Sequence, residues 1–313
     1  MKILVIRLGR IGDMILSTPL LYQLKNSSEN VSIDVLASID NHDVLQFAGY
    51  VDNVYVWNKN PLKLLLLLMK LRKRNYDIIL EPKDHYSTES YYIAGLIKAE
   101  KRIGFVNGET SIFDNDVTNY NQDKTHFQDR ILSTIKALGI VPDYSMKVPL
   151  MYPNYNVDKE ETREDYYIVN ISASNESKSI SFELAREILN YLKSKNLKVY
   201  LLSAPNHNDL AQKLSTATNT ERAVTKSIID TFPLIHLAKG LITADTSLAH
   251  IAGTYDTPVM VLSKSIEKEL YKFAPKSNIN LVIKSESEEM IEISKTKLIE
   301  SIDKFLNLVN REY

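Results

Sequence analysis

Cysteine is absent from the 313 residues. This excludes a disulfide framework and any cysteine-ligated metal site, and it fits a reducing compartment. Long hydrophobic runs are also absent. The longest, residues 64–69, has six residues, far short of the roughly 20 that a membrane-spanning helix needs. The formal net charge is −1, so the chain has no general basic field that would attract nucleic acid.

An export signal is not visible either. Residues 1–6 read directly as a strand, without a charged start, an apolar stretch and a small-residue cleavage site. We therefore expect a cytoplasmic protein. Apolar residues make up 44% of the chain and charged residues 25%, which is typical of soluble proteins. The length suits two domains better than one core.

Short β-branched segments alternate with amphipathic, helix-length segments along most of the chain. This alternation predicts βαβ units and parallel sheets. In the first half we expect strands at 3–7, 32–36, 53–57, 77–80 and 101–103, with helices at 13–25, 62–74, 88–97 and 127–138. In the second half we expect strands at 167–171, 199–203, 240–243, 259–262 and 279–283, with helices at 182–195, 209–215, 246–253 and 289–309.

The pattern breaks around Pro142, Pro149 and Pro153, because proline disfavours helix in the residue before it. We predict two α/β domains, residues 1–152 and 153–313. Each is a doubly wound, Rossmann-like domain, and the two are expected to face each other across a cleft.

The first βα junction contains Gly9, Gly12 and Asp13. The glycines allow a tight turn and a close approach of a ligand. Their GxxG spacing differs from the GxGxxG of dinucleotide sites, so a dinucleotide is not expected here. Asp13 falls in the first turn of the next helix, where the helix dipole favours a carboxylate. It is either a capping residue or a functional carboxylate.

Two further junctions in the second half resemble anion sites. Ser172, Ser174 and Lys178 lie between a strand and a helix, and they form either a diphosphate site or an ordinary polar loop. In the segment from Asp245 to Gly253 we expect Asp245 to cap the helix. The N–H groups of Thr246 and Ser247 would then meet an anion, with His250 one turn later. The alternative is a capped helix with a packed histidine.

The segment Asp245–Val259 resembles the Asp-Thr-Gly-x-x-His-x-Ala motif of glycosyltransferase family 9, the ADP-heptose:lipopolysaccharide heptosyltransferases. Other segments that resemble this family follow in the same order along the chain: 3–19, 76–79, 102–105 and 126–130. The resemblance implies a GT-B fold of two Rossmann-like domains. It also implies that the last helix, residues 289–309, packs back on the N-terminal domain, with an apolar face formed by Ile291, Leu298, Ile302, Phe305 and Val309. It also implies inverting transfer of heptose from ADP-heptose to an inner-core acceptor of the lipid A–Kdo type.

The resemblance also implies roles for individual residues. Asp13 matches the base that deprotonates the acceptor hydroxyl, and Lys178 stabilises the leaving diphosphate. The implied nucleotide-sugar contacts are Ser172, Ser174, Lys178, Asn206, Asp245, Thr246, Ser247 and His250. Ser247 replaces the usual glycine, Asn206 replaces an acidic residue, and the aromatic residue usual soon after Lys178 is missing. These departures concern which nucleotide-sugar binds. We expect no cofactor and no tightly held metal, since no Asp-x-Asp pair ends any of the strands predicted above.

The acceptor is expected to be anionic and lipid-linked, because basic residues lie near the family-like segments of the first half. They are Arg10, Lys83, Arg102, His126 and Arg130. The alternative is that they are scattered surface charges. The leucine-rich segment 62–74 is either a buried core helix with a basic end or a contact with an anionic membrane. We favour the buried helix.

Other functions remain to be weighed. A two-lobed solute-binding protein would share the pattern but should carry an export signal. A GT-B sugar-nucleotide epimerase would need acid/base pairs around the cleft. A family member that uses another nucleotide-sugar, or one without activity, is also compatible with the altered donor residues.

Overall fold

The computed structural model describes residues 1–58, 60–118, 120–121, 124–155, 163–264, 271–289 and 291–312. The chain divides into two compact units, Met1–Met151 and Tyr152–Tyr313. The predicted boundary after residue 152 lies next to this division. No helix in the described ranges is both long enough and apolar enough to cross a bilayer.

The N-terminal domain is built on a six-stranded parallel sheet in the order β3-β2-β1-β4-β5-β6. Its strands are β1 (Lys2–Arg7), β2 (Ser32–Ser38), β3 (Asn53–Trp57), β4 (Tyr76–Leu80), β5 (Ala99–Gly104) and β6 (Asn115–Asp116). Helices cover both faces of such a sheet, so its central strands read as continuous apolar runs. Residues 3–6 of β1 are accordingly fully buried. The two-residue edge strand β6 was not predicted.

Five α-helices of this domain are α1 (Ile11–Ile15), α2 (Thr18–Lys25), α3 (Pro61–Arg72), α4 (Thr88–Leu96) and α5 (Phe127–Ser133). The single helix predicted over 13–25 is therefore two helices. Pro19 has no N–H group to continue the first helix. The chain turns at Ser17 instead, whose hydroxyl donates to the Asp13 carbonyl at 2.7 Å. Residues 134–138 extend α5 as a 3₁₀ turn that ends at Gly139.

Helix α3 corrects the prediction of a buried core helix. The Asn60 side chain caps it by accepting hydrogen bonds from the N–H groups of Leu62 and Lys63. Leu71 is its only fully buried residue. Leu67 and Leu68 also pack against the core, but they remain partly exposed. Since five consecutive leucines point in every direction around a helix, one side meets the domain and the other is left in solvent.

The C-terminal domain contains a second six-stranded parallel sheet in the order β12-β11-β10-β7-β8-β9. Its strands are β7 (Glu164–Asn170), β8 (Val199–Leu202), β9 (Glu221–Ala223), β10 (Ala238–Ala244), β11 (Val259–Ser263) and β12 (Asn280–Lys284). Its helices are α6 (Phe182–Ser194), α7 (Asn208–Thr218), α8 (Thr231–Leu237), α9 (Ser247–Tyr255) and α10 (Lys295–Glu312). Strand β9 and helix α8 were missed by the sequence analysis. The predicted α/β class is confirmed.

The last helix packs differently from the prediction. From the family resemblance we expected the apolar residues of 289–309 to pack on the N-terminal domain. The structure places them in the hydrophobic core of the C-terminal domain, with residues of β7, β10 and α6. These residues are Ile291, Leu298, Ile302, Phe305 and Val309. Their spacing correctly marked a buried helix face, but such a pattern carries no information about which domain covers it.

Phe305 allows this packing to be tested. Its side chain is fully buried and would lie 3.0 Å from a Cβ added at Gly240 of the neighbouring strand. Phe305→Ala should leave a cavity and lower the free energy of unfolding of the C-terminal domain by about 3–5 kcal/mol, measured by urea denaturation. Lys304→Ala, at the adjacent exposed position, should change it by less than about 0.5 kcal/mol. Equal effects of the two changes would contradict this core.

Candidate active site

The first part of the candidate site lies where the N-terminal sheet reverses its strand order. From β1 the chain adds β2 and β3 on one side, and β4, β5 and β6 follow on the other. Open α/β sheets bind ligands outside the carboxyl ends of the strands at this switch point. Arg7 ends β1 and Glu81 directly follows β4. The predicted catalytic residue Asp13 lies in α1, which follows β1.

The Asp13 carboxylate is held by two groups of its own loop. Its Oδ2 accepts the backbone N–H of Arg10 at 2.8 Å, and its Oδ1 lies 3.3 Å from Nη2 of Arg7. A Cβ at Gly9 would come within 2.5 Å of Oδ2, so this arrangement requires glycine there. Asp13 thus has the capping contact that we considered. Its side chain nevertheless remains 31% exposed and accessible to a substrate.

Arg7 was not singled out from the sequence. Its side chain is 1% exposed, and its guanidinium lies 5.5 Å from the centre of the Phe127 ring. Burial lowers the pKa of Arg7, while the carboxylates of Asp13, Glu81 and Asp84 oppose this effect. A charged residue at the end of an otherwise apolar strand was the available signal in the sequence.

Glu81 is a second carboxyl group that the sequence analysis missed. It is 2% exposed, and its Oε1 has no hydrogen-bond partner. Next to it, Lys83 Nζ donates to the Ser87 hydroxyl at 3.0 Å, and Ser87 donates to the Ser90 hydroxyl at 3.2 Å. Burial raises the pKa of Glu81 to about 7, against the effect of the nearby Lys83 and Arg7 cations.

The structure separates the five basic residues predicted to bind the acceptor. Arg10 is exposed, and Lys83 is half-buried beside Glu81. Arg102 instead donates to the carbonyls of residues 94 and 97 at the end of α4. His126 is nearly buried and caps α5. Arg130 is 6% exposed and pairs with Asp84 at 2.9 Å. The observed contacts of the last three residues stabilise the domain, so Arg10 and Lys83 are the stronger acceptor candidates.

The predicted donor loops meet at the corresponding switch point of the C-terminal sheet, between β7 and β10. Asn170 joins the ends of these strands. Its buried amide donates to the Thr243 hydroxyl and to the Ser172 carbonyl, both at 2.9 Å. The Thr243 hydroxyl in turn lies 3.2 Å from the Thr246 hydroxyl at the start of α9. The loop after β7 and the start of α9 are therefore linked through Asn170 and Thr243, which the sequence analysis did not identify.

Helix α9 begins one residue later than expected. Thr246 is its N-cap, and the Thr246 hydroxyl accepts the N–H of Leu248 at 3.3 Å. This corrects the assignment of Asp245 as the cap, because the Thr246 side chain reaches the same N–H group from one position closer. The N–H groups of Thr246 and Ser247 precede the capped one, as an anion at this helix end requires. His250 follows Thr246 by one turn and is half-buried.

The loop after β7 has one buried and two accessible site residues. Ser172 is nearly buried, and its hydroxyl accepts the N–H of Ala204 at 2.9 Å. It thereby links this loop to the turn that carries the exposed Asn206. Ser174 is exposed and Lys178 is half-buried, so both can reach a ligand.

Lys264 is a further cation of this region that was not predicted. It follows β11, and its Nζ donates to the Ser177 hydroxyl at 2.9 Å and to the Glu289 carbonyl at 3.2 Å. Beside it, a pocket is lined by Asp245, Ala249, Val261, Ser263, Phe273, Ala274, Pro275 and Val282. The pocket combines apolar walls with one carboxylate, that of Asp245. Within the described residues, no group of three or more His, Asp or Glu side chains is placed to hold a metal ion.

A family model described as glycosyltransferase family 9 (heptosyltransferase) matches residues 65–302, about three quarters of the chain. The chain belongs to glycosyltransferase family 9. The matched range includes both donor loops. Lipopolysaccharide heptosyltransferase 3 of Escherichia coli (strain K12) is 25% identical to this glycosyltransferase over 277 residues, covering 80% of the chain and 79% of that protein.

Solved structures confirm the GT-B fold of this glycosyltransferase. E. coli heptosyltransferase WaaC with ADP superimposes with a TM-score of 0.80 at 15% identity, covering 97% of this chain and all of the other. A UDP-N-acetylglucosamine 2-epimerase from Listeria monocytogenes, described as putative, reaches only 0.53, at 15% identity, covering 98% of this chain and 88% of that one. The fold of this glycosyltransferase is therefore nearer to that of the heptosyltransferase than to that of the epimerase.

Glu81 makes the stability of this glycosyltransferase dependent on pH. Because its pKa is about 7 in the folded chain, against an ordinary 4.5, the folded state holds an extra proton between these values. The free energy of unfolding should therefore fall as pH rises through this range. Glu81→Gln removes the titrating group, so its stability relative to the wild type should increase by about 2.5 kcal/mol between pH 5 and pH 8.

Urea denaturation of both proteins at the two pH values measures this difference. Glu300→Gln, at an exposed position of α10, is the matched control and should show no such change. A pH-independent difference between Glu81→Gln and the wild type would contradict the shifted titration.

Proposed function

We propose that the protein transfers heptose from ADP-heptose to the inner core of lipopolysaccharide, with inversion at the anomeric carbon. The observation that carries the proposal is that the two donor loops of a family 9 chain are linked at one switch point through Asn170 and Thr243. Two names among the similar proteins support the choice of substrates. One is a lipopolysaccharide heptosyltransferase, and the other is a heptosyltransferase described with ADP.

The donor diphosphate would bind between Lys178 and the start of α9. Lys178 supplies a cation, and Thr246 and Ser247 supply backbone N–H groups at the positive end of the helix dipole. Ser174 is exposed beside Lys178 and can donate a hydroxyl. Asp245 borders the pocket next to this helix end and would contact the donor sugar. These groups stabilise the negative charge that develops on the leaving diphosphate.

In the transfer step the acceptor hydroxyl oxygen attacks C1 of the heptose. The bond between C1 and the diphosphate oxygen breaks, and ADP leaves with the electron pair. Asp13 takes the hydroxyl proton. Arg7 and the Arg10 N–H group hold both carboxylate oxygens in position, and Gly9 leaves room for the substrate. Positioned proton transfer of this kind contributes about 10²–10⁴-fold to a rate.

The acceptor would be a lipid-linked sugar of the lipid A–Kdo type that projects from a membrane towards the enzyme. Its phosphate or carboxylate groups would pair with Arg10 and Lys83, the two more accessible basic residues of the N-terminal site. The protein would therefore work in the cytoplasm, at the cytoplasmic face of the inner membrane.

Lys178 tests the donor site. Addition of ADP-heptose at 100 times its dissociation constant should stabilise the wild type by about 2.7 kcal/mol, seen as a rise in melting temperature. UDP-, GDP- and CDP-sugars should give smaller shifts. Lys178→Ala should weaken ADP-heptose binding, Lys178→Arg should weaken it less, and Lys213→Ala on the exposed side of α7 should not change it. A larger shift with another nucleotide-sugar would overturn the choice of donor.

Asp13 tests the catalytic step. Asp13→Asn keeps the size of the side chain but cannot take the proton, so turnover should fall by about 10²-fold or more while ADP-heptose still binds. Asp209→Asn, in the first turn of α7, is the control and should retain full turnover. Asparagine caps a helix as well as aspartate does. Near-normal turnover of Asp13→Asn at a saturating acceptor concentration would therefore show that Asp13 only caps its helix.

A further inference from the structure

Helix α3 presents an apolar stripe to solvent. Residues 62, 65, 66 and 69 follow one another at the spacing that places side chains on one side of a helix. Their exposed fractions are 74% for Leu62, 57% for Leu65, 66% for Leu66 and 49% for Met69. The opposite side, residues 64, 67, 68 and 71, is the side that is at least partly buried. The packing of this helix in its domain therefore leaves the stripe uncovered.

The neighbouring helix α4 extends this apolar surface. The two helices pack against each other, and Arg72 of α3 donates to the Leu96 carbonyl of α4 at 2.7 Å. Tyr92 is 65% exposed and Leu96 is 49% exposed, one helical turn apart on α4. Isolated exposed apolar side chains are common on proteins, but a contiguous group marks an interaction surface.

The charged side chains of α3 and of the two residues after it are all basic. Residues 61–74 contain five basic side chains and no acidic one. With about 100° of rotation per residue, Lys63 and Lys70 lie on one flank of the stripe and Arg72 on the other, while Lys73 lies at its C-terminal end. The acidic residue of α4, Glu89, is bonded to the Trp57 indole. An apolar stripe with cationic flanks is the pattern of a helix that lies in a membrane interface.

We propose that the exposed stripe of α3, together with Tyr92 and Leu96, docks on an anionic lipid bilayer. A second copy of the chain fits less well, because a symmetric contact would place the same lysines opposite each other. A bilayer with anionic headgroups neutralises these cations, and their side chains can extend to the headgroups while the leucines enter the acyl boundary. The twelve residues of α3 are too few to span the bilayer and suit a position in its plane.

The docking proposal rests on the proposed function in one respect, which is that the acceptor is lipid-linked. Binding to acceptor-free vesicles separates the two proposals. Vesicles of phosphatidylglycerol and phosphatidylcholine in equal parts should bind the wild type. Vesicles of phosphatidylcholine alone should bind it at least about tenfold more weakly. Raising the salt concentration should weaken binding to the anionic vesicles.

Substitutions on the stripe test the assignment. The double variant Leu65→Gln, Leu66→Gln should bind anionic vesicles about tenfold more weakly or worse in a flotation assay. Lys63→Glu with Lys73→Glu should lose at least as much. The matched control is Val141→Gln with Val224→Gln, two valines that are 88% and 75% exposed elsewhere, and it should bind as the wild type does. Transfer to a detergent-dispersed acceptor should be unchanged in all of these variants.

Three outcomes would overturn the proposal. The first is failure of the wild type to float with anionic vesicles, and the second is flotation of the leucine variant equal to that of the wild type. The third is sedimentation in which the stripe joins two copies of the chain without vesicle binding. If vesicles bind as expected and no heptose is transferred, the proposed function fails and the docking surface stands.

Discussion

Both domains depend on one constraint of parallel sheets, which is that a chain must cross over to start each new strand. Where successive crossovers turn to opposite sides, the carboxyl ends of two central strands are left uncovered. In the N-terminal sheet these strands are β1 and β4, and in the C-terminal sheet they are β7 and β10. The loops after them carry Asp13 and Glu81 in one domain and Lys178 and Thr246 in the other. Strand order therefore decides which loops can form a site.

Within the N-terminal site, the burial of the Arg7 guanidinium explains why carboxyl groups lie around it. A guanidinium removed from water is stable only with carboxylates around it, and Arg7 has three nearby. One of them, Asp13, remains accessible to solvent. The carboxyl group of Glu81 is buried and shares its surroundings with Lys83. A change at either carboxyl group therefore alters the charge balance around Arg7.

Most of the fold could be predicted from the sequence, because central strands of parallel sheets are continuous apolar runs between helical patterns. Of the twelve strands in the part of the chain that the structure describes, ten were predicted in place. The two missed strands, β6 and β9, are short edge strands with little apolar character. The partner of a helix face was not predictable, as α10 and α3 show. A pattern of leucines indicates how much apolar surface a helix has, but it does not indicate what covers that surface.

For the site, the sequence identified the loops and several of their residues but not the contacts that hold them. Asp13 follows a glycine, Thr246 precedes a helix, and Lys178 lies in a polar loop between a strand and a helix, so each has a local signal. Arg7, Glu81, Asn170 and Lys264 were missed because each stands singly at the end of a strand. Their importance arises only when β1 meets β4, when β7 meets β10, and when Lys264 after β11 reaches Ser177 in the loop after β7. These segments are distant in sequence.

The leucine stripe of α3 also governs how the protein behaves in concentrated solution. Its cationic flanks should repel those of another copy, and this repulsion should keep the apolar surfaces apart when little salt is present. Added salt screens the repulsion beyond about 10 Å at 0.1 M but does not weaken the attraction between leucines. Colloidal stability should therefore be highest at low ionic strength, the reverse of a protein whose copies associate through opposite charges.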